Sequence, residues 1–207
     1  MTNQPSFKYL STSIKQMASS DEFNKAAEDV NLQKQVARIK HPARKQRFII
    51  GRILLARLLN KSVAEISAPG YIKYTEYGKP YLADHSYYFN ITDSFDILAA
   101  AICKEPLGLD LEKIRPMELR RISRAYTIDE QRYINNITDK QLQYKTTLKF
   151  WTIKEAVLKL AGVGLSGGMS KVHIHDVHHA QWHEHHYYVD DYLDDPNYVS
   201  TVATYDK

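Results

Sequence analysis

The chain holds 207 residues with a formal net charge of +4, 43% of them hydrophobic and 25% charged. That is enough for one large or two small domains with a proper core, and it excludes a chain that is mainly disordered. The longest apolar run, Ile97 to Cys103, is far shorter than the roughly 20 residues a membrane helix needs, and MTNQPSFKYL has no signal-peptide pattern. Cys103 is the single cysteine, so no internal disulfide is available. A cytoplasmic protein with no membrane contact is expected.

In chain order, residues 20 to 38 read as helical with Ser20 as N-cap. Arg44 to Asn60 is a firmer helix, with Phe48, Ile49, Ile53, Leu54, Leu58 and Leu59 at helical spacing. From Arg38 to Arg57 there are seven Lys or Arg and no acid, which implies an anionic partner or a solvated basic face. Tyr71 to Leu82 reads as two short strands around Glu76-Tyr77-Gly78-Lys79, and Ser86 to Ile91 as a tyrosine-rich strand. Ile97 to Cys103 and Leu107 to Glu112 are expected to form a hairpin turned at Lys104-Glu105-Pro106. Residues 117 to 136 and Lys149 to Ala161 read as helices, the second ended by Gly162. Lys171 to Asp176, His185 to Asp190 and Tyr198 to Thr204 read as strands. The class implied is α+β in two halves, 1–105 and 106–207.

Three constellations could carry chemistry. In Leu107-Gly108-Leu109-Asp110-Leu111-Glu112, strand alternation puts Asp110 and Glu112 on one face, with Gly108 leaving that face uncrowded. Carboxylates so placed suit a hard cation such as Mg²⁺, or simply an exposed strand face. In Phe150-Trp151-Thr152-Ile153-Lys154-Glu155-Ala156-Val157-Leu158-Lys159, Glu155 and Lys159 are four apart and share a helix face. The third is Tyr77-Gly78-Lys79-Pro80, followed by Phe89-Asn90-Ile91-Thr92-Asp93-Ser94.

In this order the motifs resemble those of the 4'-phosphopantetheinyl transferases of the surfactin-synthetase-activator (Sfp) type, over about residues 44 to 168. The resemblance implies a pseudo-twofold pair of α+β halves with coenzyme A and Mg²⁺ in a cleft between them. It implies Asp110, Glu112 and Glu155 as metal ligands. Lys154 and Lys159 would lie near the coenzyme's phosphates, with Lys79 and Pro80 at its adenine and phosphate end. Arg44 and Arg47 would help hold the 3'-phosphate, and Glu130 would be a further acidic site residue. Glu155 is the expected general base and Lys159 the cation that offsets developing charge. The expected partner is an apo acyl or peptidyl carrier protein, met by Arg115, Met117, Arg120, Arg121 and Arg124; no nucleic-acid partner is expected, and a monomer suffices.

One departure stands in the coenzyme-binding stretch. Thr92-Asp93-Ser94 occupies the place where the family usually has Ser-His-Ser. An aspartate about 4 Å from a phosphate charge repels it by roughly 4 kcal/mol at an effective dielectric of 20. Weaker discrimination between coenzyme A and its 3'-dephospho form is expected, unless neighbouring cations compensate. A metal-dependent phosphohydrolase and a catalytically weakened coenzyme-binding homologue remain the alternatives. Seven of the nine histidines fall between His173 and His186. They read as exposed hairpin residues, with no compact ligand-spacing motif among them.

Overall fold

The computed structural model describes residues 6–206, the side chains of residues 165 and 166 excepted. The described residues divide into two compact units, 6–105 and 106–206. The α+β class expected from the sequence is borne out: among the described residues every strand pairing is antiparallel, and the long helices lie outside the sheets.

The N-terminal unit opens with β1 (Phe7–Ser13), followed by the short helices α1 (Ile14–Ala18), α2 (Asp21–Ala27) and α3 (Val30–Val36). Ser20 caps α2 as expected, accepting from the Phe23 amide, but Asp29 caps a separate helix, so the stretch from 20 to 38 is not continuous. The basic helix is α4 (Pro42–Leu59), opened by Pro42 in its first turn and closed by Asn60 in the left-handed region. After it come α5 (Val63–Ser67), the ribbon β2 (Ile72–Tyr74) and β3 (Pro80–Leu82), then β4 (Tyr88–Ser94) and β5 (Ile97–Cys103). The sheet order is β1-β5-β4. Ile49, Ile50, Ile53 and Leu54 of α4 pack with Leu98 and Ala100 of β5 in the core.

The C-terminal unit begins with β6 (Gly108–Lys113), then α6 (Leu119–Ile122), α7 (Ile128–Asn135) and α8 (Lys140–Ala161). Strands β7 (Val172–Ile174), β8 (His179–Trp182), β9 (His185–Asp190) and β10 (Tyr198–Tyr205) complete a sheet ordered β6-β10-β9-β8-β7. Ile153, Ala156, Val157 and Leu160 on α8 pack with Tyr187, Val189 and Ala203 of that sheet.

The hairpin expected from Ile97 to Glu112 does not form. β5 is the middle strand between β1 and β4, whereas β6 pairs with β10. The physical reason lies in β5 itself: Leu98 to Cys103 are all buried, as a central strand covered on both faces requires. None of the helices among the described residues is long and apolar enough to cross a membrane.

Candidate functional site

The chemistry-bearing residues of the C-terminal unit meet where β6 lies against α8. Gly108 makes that approach possible. A Cβ built on it would sit 1.9 Å from the Ala156 carbonyl oxygen and 2.6 Å from the Leu160 nitrogen, on the hydrogen-bonded backbone of α8. The missing side chain therefore serves the helix backbone rather than merely clearing the carboxylate face. That face is covered, so the exposed-strand reading of Asp110 and Glu112 does not hold: Asp110 is 4% exposed.

Asp110 and Lys159 meet across this contact. Lys159 Nζ donates to Asp110 Oδ1 at 2.6 Å and to the Leu109 carbonyl at 3.1 Å, and lies 3.8 Å from Glu155 Oε2. The spacing of four residues between Glu155 and Lys159 thus places both beside Asp110, as a shared helix face allows. Glu112, two residues along β6, accepts from Arg115 Nη1 at 2.8 Å. Burial pushes the Asp110 carboxyl up to about 6; the Lys159 charge opposes the shift, and Glu155 and Glu112 add to it. Three carboxylates act on one another here, with two side-chain cations bonded among them.

The donor chemistry fits a hard divalent cation, since carboxylate oxygens are its preferred ligands and Glu155 and Glu112 add negative charge around Asp110 beyond what Lys159 offsets by pairing. Yet the three carboxylates are not gathered into a cage. Among the described residues no group of three His, Cys, Asp or Glu side chains is arranged to hold a metal ion. Asp110 and Glu155 instead share Lys159, and Glu112 holds Arg115.

Two expected site residues are corrected. Lys154 is 0% exposed; its Nζ donates to the Val172 carbonyl at 2.5 Å and the Met169 carbonyl at 3.2 Å, and lies 3.0 Å from Glu130 Oε2. It faces the core of its own unit and offers no charge to a phosphate. Glu130 is likewise structural: it closes a capping box with Thr127 at the start of α7 and neutralises Lys154. The sequence held a signal for this, because Lys154 lies three and four residues before the buried Val157 and Leu158.

In the N-terminal unit, Arg44, Arg47, Pro80 and Asp93 line one groove of about 710 Å³. Arg47 Nε donates to Asp93 Oδ2 at 2.7 Å and Nη2 to the Phe95 carbonyl at 3.3 Å. The compensation considered for Asp93 is present, and it engages the arginine expected at the 3'-phosphate. Thr92 is buried on β4, beside Asp93 but on the other face of the strand. Burial pulls the Lys79 ammonium down to about 8. Sequence reasoning missed a second set lining an adjoining groove: Lys34, Arg38, Arg52 and Ser67. Only the basic run gave any hint of Arg38 and Arg52.

Of the residues expected to meet a carrier protein, Arg120 and Arg121 are exposed and pair with Glu118, and Arg115 is taken by Glu112. The histidines lie on and around β7, β8 and β9: His179 bonds Asp176 at 2.9 Å, His175 bonds Gln181 at 3.1 Å, and His178 stacks on Tyr188.

Comparison with known proteins agrees with the motif resemblance. Residues 106–203 match the family model described as the 4'-phosphopantetheinyl transferase superfamily. The chain is 30% identical over 127 residues to the 4'-phosphopantetheinyl transferase psf-1 of Bacillus pumilus, covering 60% of this chain and 54% of that protein. It is 30% identical over 143 residues to a 4'-phosphopantetheinyl transferase of Bacillus subtilis, covering 68% and 63% respectively. With the 4'-phosphopantetheinyl transferase Sfp of Bacillus subtilis (strain 168) it shares 28% identity over 131 residues, 62% of this chain and 58% of that one. The alignments thus span less than two thirds of these relatives' own lengths.

Proposed function

We propose that this chain transfers the 4'-phosphopantetheine arm of coenzyme A to a serine of an apo acyl or peptidyl carrier protein. The observation that carries the reading is the convergence of Asp110, Glu155 and Lys159 where Gly108 brings β6 onto α8, within the segment matching the transferase superfamily. In this reaction the carrier serine oxygen bonds to the β-phosphorus. The bond from that phosphorus to the bridging oxygen breaks, and adenosine 3',5'-bisphosphate leaves. Such transfers demand neutralised phosphoryl oxygens and an aligned nucleophile.

Asp110, Glu112 and Glu155 would hold Mg²⁺, which when bound supplies Lewis-acid stabilisation of the pyrophosphate oxygens. Lys159, the cation beside Asp110 and Glu155, offsets negative charge on the phosphates. Glu155 is the half-buried carboxylate on the same helix face and takes the serine proton. In the N-terminal unit, Arg44, Arg47, Lys79 and Pro80 would contact the adenosine end of the coenzyme, with Thr92 and Asp93 beside them on β4. Lys79, with its lowered pKa, contributes less than a full charge above about pH 8. Exposed Arg120, Arg121 and Arg124 suit the acidic surface of a carrier protein.

The experiment is product stoichiometry. Transfer predicts one adenosine 3',5'-bisphosphate per modified carrier and none without carrier. Release of phosphate or of the bisphosphate without carrier would favour the phosphohydrolase instead. Glu155→Gln should lose turnover while binding coenzyme A within several-fold of the parent, and a near-normal rate would remove Glu155 as the base.

A further inference from the structure

The C-terminal unit holds a groove of about 390 Å³, walled by α7, α8 and the chain that leaves β7. None of the residues given a part in the transfer lines it. Ile153 from α8 and Ile174 from β7 give it an apolar lining. One wall is aromatic: the Tyr133 and Phe150 rings stack with centres 5.9 Å apart and planes within 14°. Tyr133 is nonetheless 60% exposed, and Val177 on the same groove is exposed as well. Exposed apolar side chains scattered singly need no explanation, but two flanking one groove over a buried isoleucine do.

The charge in this groove is acidic. Asp129, Glu130 and Asp176 line it together with Lys149 and the imidazole of His175. Lys149 is committed elsewhere: its Nζ donates to Asp191 at 2.6 Å, to the Ser200 carbonyl at 2.7 Å and to the Thr201 hydroxyl at 3.0 Å. Glu130 has spare capacity. Its Oε2 accepts from the Thr127 amide and pairs with Lys154, whereas Oε1, on a side chain 9% exposed, is buried with no hydrogen-bond partner. Leaving a buried acceptor so is costly unless a donor reaches it. Asp129 and Tyr133 are four apart on α7 and share a face; Asp129 pairs with Arg132 at 3.2 Å, an exposed contact of little strength. Asp176 accepts from the His178 amide at 2.8 Å, which holds its carboxyl below the ordinary range and keeps it charged.

We propose that this groove binds a small organic cation, an ammonium carried on an apolar or aromatic body. The body lies against Ile153, Ile174 and the Tyr133 ring, while the ammonium donates to Glu130 Oε1 and is held by Asp129 and Asp176. An aromatic face attracts a cation through its quadrupole, and an ammonium makes the stronger, charge-assisted hydrogen bond to a carboxylate. The volume suits a small molecule. An anion would meet three carboxylates here, so the groove differs in kind from the basic one proposed for the coenzyme.

The test is isothermal titration of the full chain with 2-phenylethylamine, and with 2-phenylethanol as its uncharged counterpart. Saturable binding of the amine is expected, at least about fivefold tighter than the alcohol and weakened by salt. Tyr133→Ala should weaken the amine by about three- to tenfold, as loss of a cation–π contact implies. Glu130→Gln should weaken it by about tenfold and spare the alcohol. Glu130 also supports Lys154, so if that variant fails to fold, Asp129→Asn/Asp176→Asn decides, because it alters exposed side chains and leaves an oxygen for the amides beside residue 176. It too should weaken the amine and spare the alcohol. Absence of saturable amine binding, an alcohol bound as tightly as the amine, or parent-like affinity in Tyr133→Ala or in Asp129→Asn/Asp176→Asn overturns the proposal. The titration involves neither coenzyme A nor a carrier, so loss of the transferase reading would leave this test standing.

Discussion

Gly108→Ala should damage the molecule at the contact that assembles the carboxylate site. The new methyl would lie 1.9 Å from the Ala156 carbonyl oxygen and 2.9 Å from its carbon, both helix backbone. Ordinary contact begins near 3.4 Å, so β6 and α8 must separate by about 1.5 Å at this point. Overpacking of this kind costs about 1–3 kcal/mol, occasionally more. The same movement pulls Asp110 from Lys159, now 2.6 Å apart, and leaves a buried carboxylate without its ion pair. A drop in melting temperature of about 2–4 °C per kcal/mol follows for a chain this size. Misplacement by about 1 Å also implies a loss of about 100-fold in rate, even in protein that remains folded. Thermal unfolding and carrier modification measured on the same sample would separate the two effects. A Gly108→Ala chain within about 0.5 kcal/mol of the parent, with a parent-like rate, would refute the reasoning.

Other consequences are equally concrete. Lys154→Met should destabilise by about 3–5 kcal/mol, because it strands buried Glu130. Adding Glu130→Gln should recover part of that loss, while coenzyme A affinity of the folded protein stays unchanged; weakened affinity would return Lys154 to the phosphates. Asp93→Ala should release Arg47 and strengthen binding of coenzyme A relative to its 3'-dephospho form by about 3- to 10-fold, with little change in stability for so exposed a pair. An unchanged ratio would show that Asp93 does not restrain Arg47. The proposed Mg²⁺ site needs Asp110 ionised, so on that reading metal affinity should fall about tenfold per pH unit below its pKa of about 6. Its contribution to folding runs the other way. It is greatest below the ordinary carboxyl value of 3.8 and is lost as pH rises through about 6, so Asp110→Asn should flatten the stability profile across that window.

The sequence made the locally encoded features legible and the non-local ones less so. The apolar spacing from Phe48 to Leu59 and the turn at Gly78 were written in consecutive residues, and α4 and the β2–β3 ribbon follow them. β1 was overlooked because Phe7 to Ser13 lacks a strong alternation and gains its order by pairing with β5, about ninety residues away. The same long-range pairing defeated the hairpin expected between Ile97 and Glu112, since adjacency in sequence did not reveal that β6 pairs with β10. At the site, Glu155 and Lys159 could be placed on one face by helical arithmetic. The direction of that face could not, and Lys154, one residue before Glu155, turns into the core instead.

The most direct measurement of the central claim is intact-mass spectrometry of an apo acyl carrier protein incubated with this chain, coenzyme A and Mg²⁺. The account predicts a gain of about 340 Da, one phosphopantetheine arm, that vanishes with Asp110→Ala. A carrier of unchanged mass across acyl and peptidyl types, or a gain that survives Asp110→Ala, would contradict it.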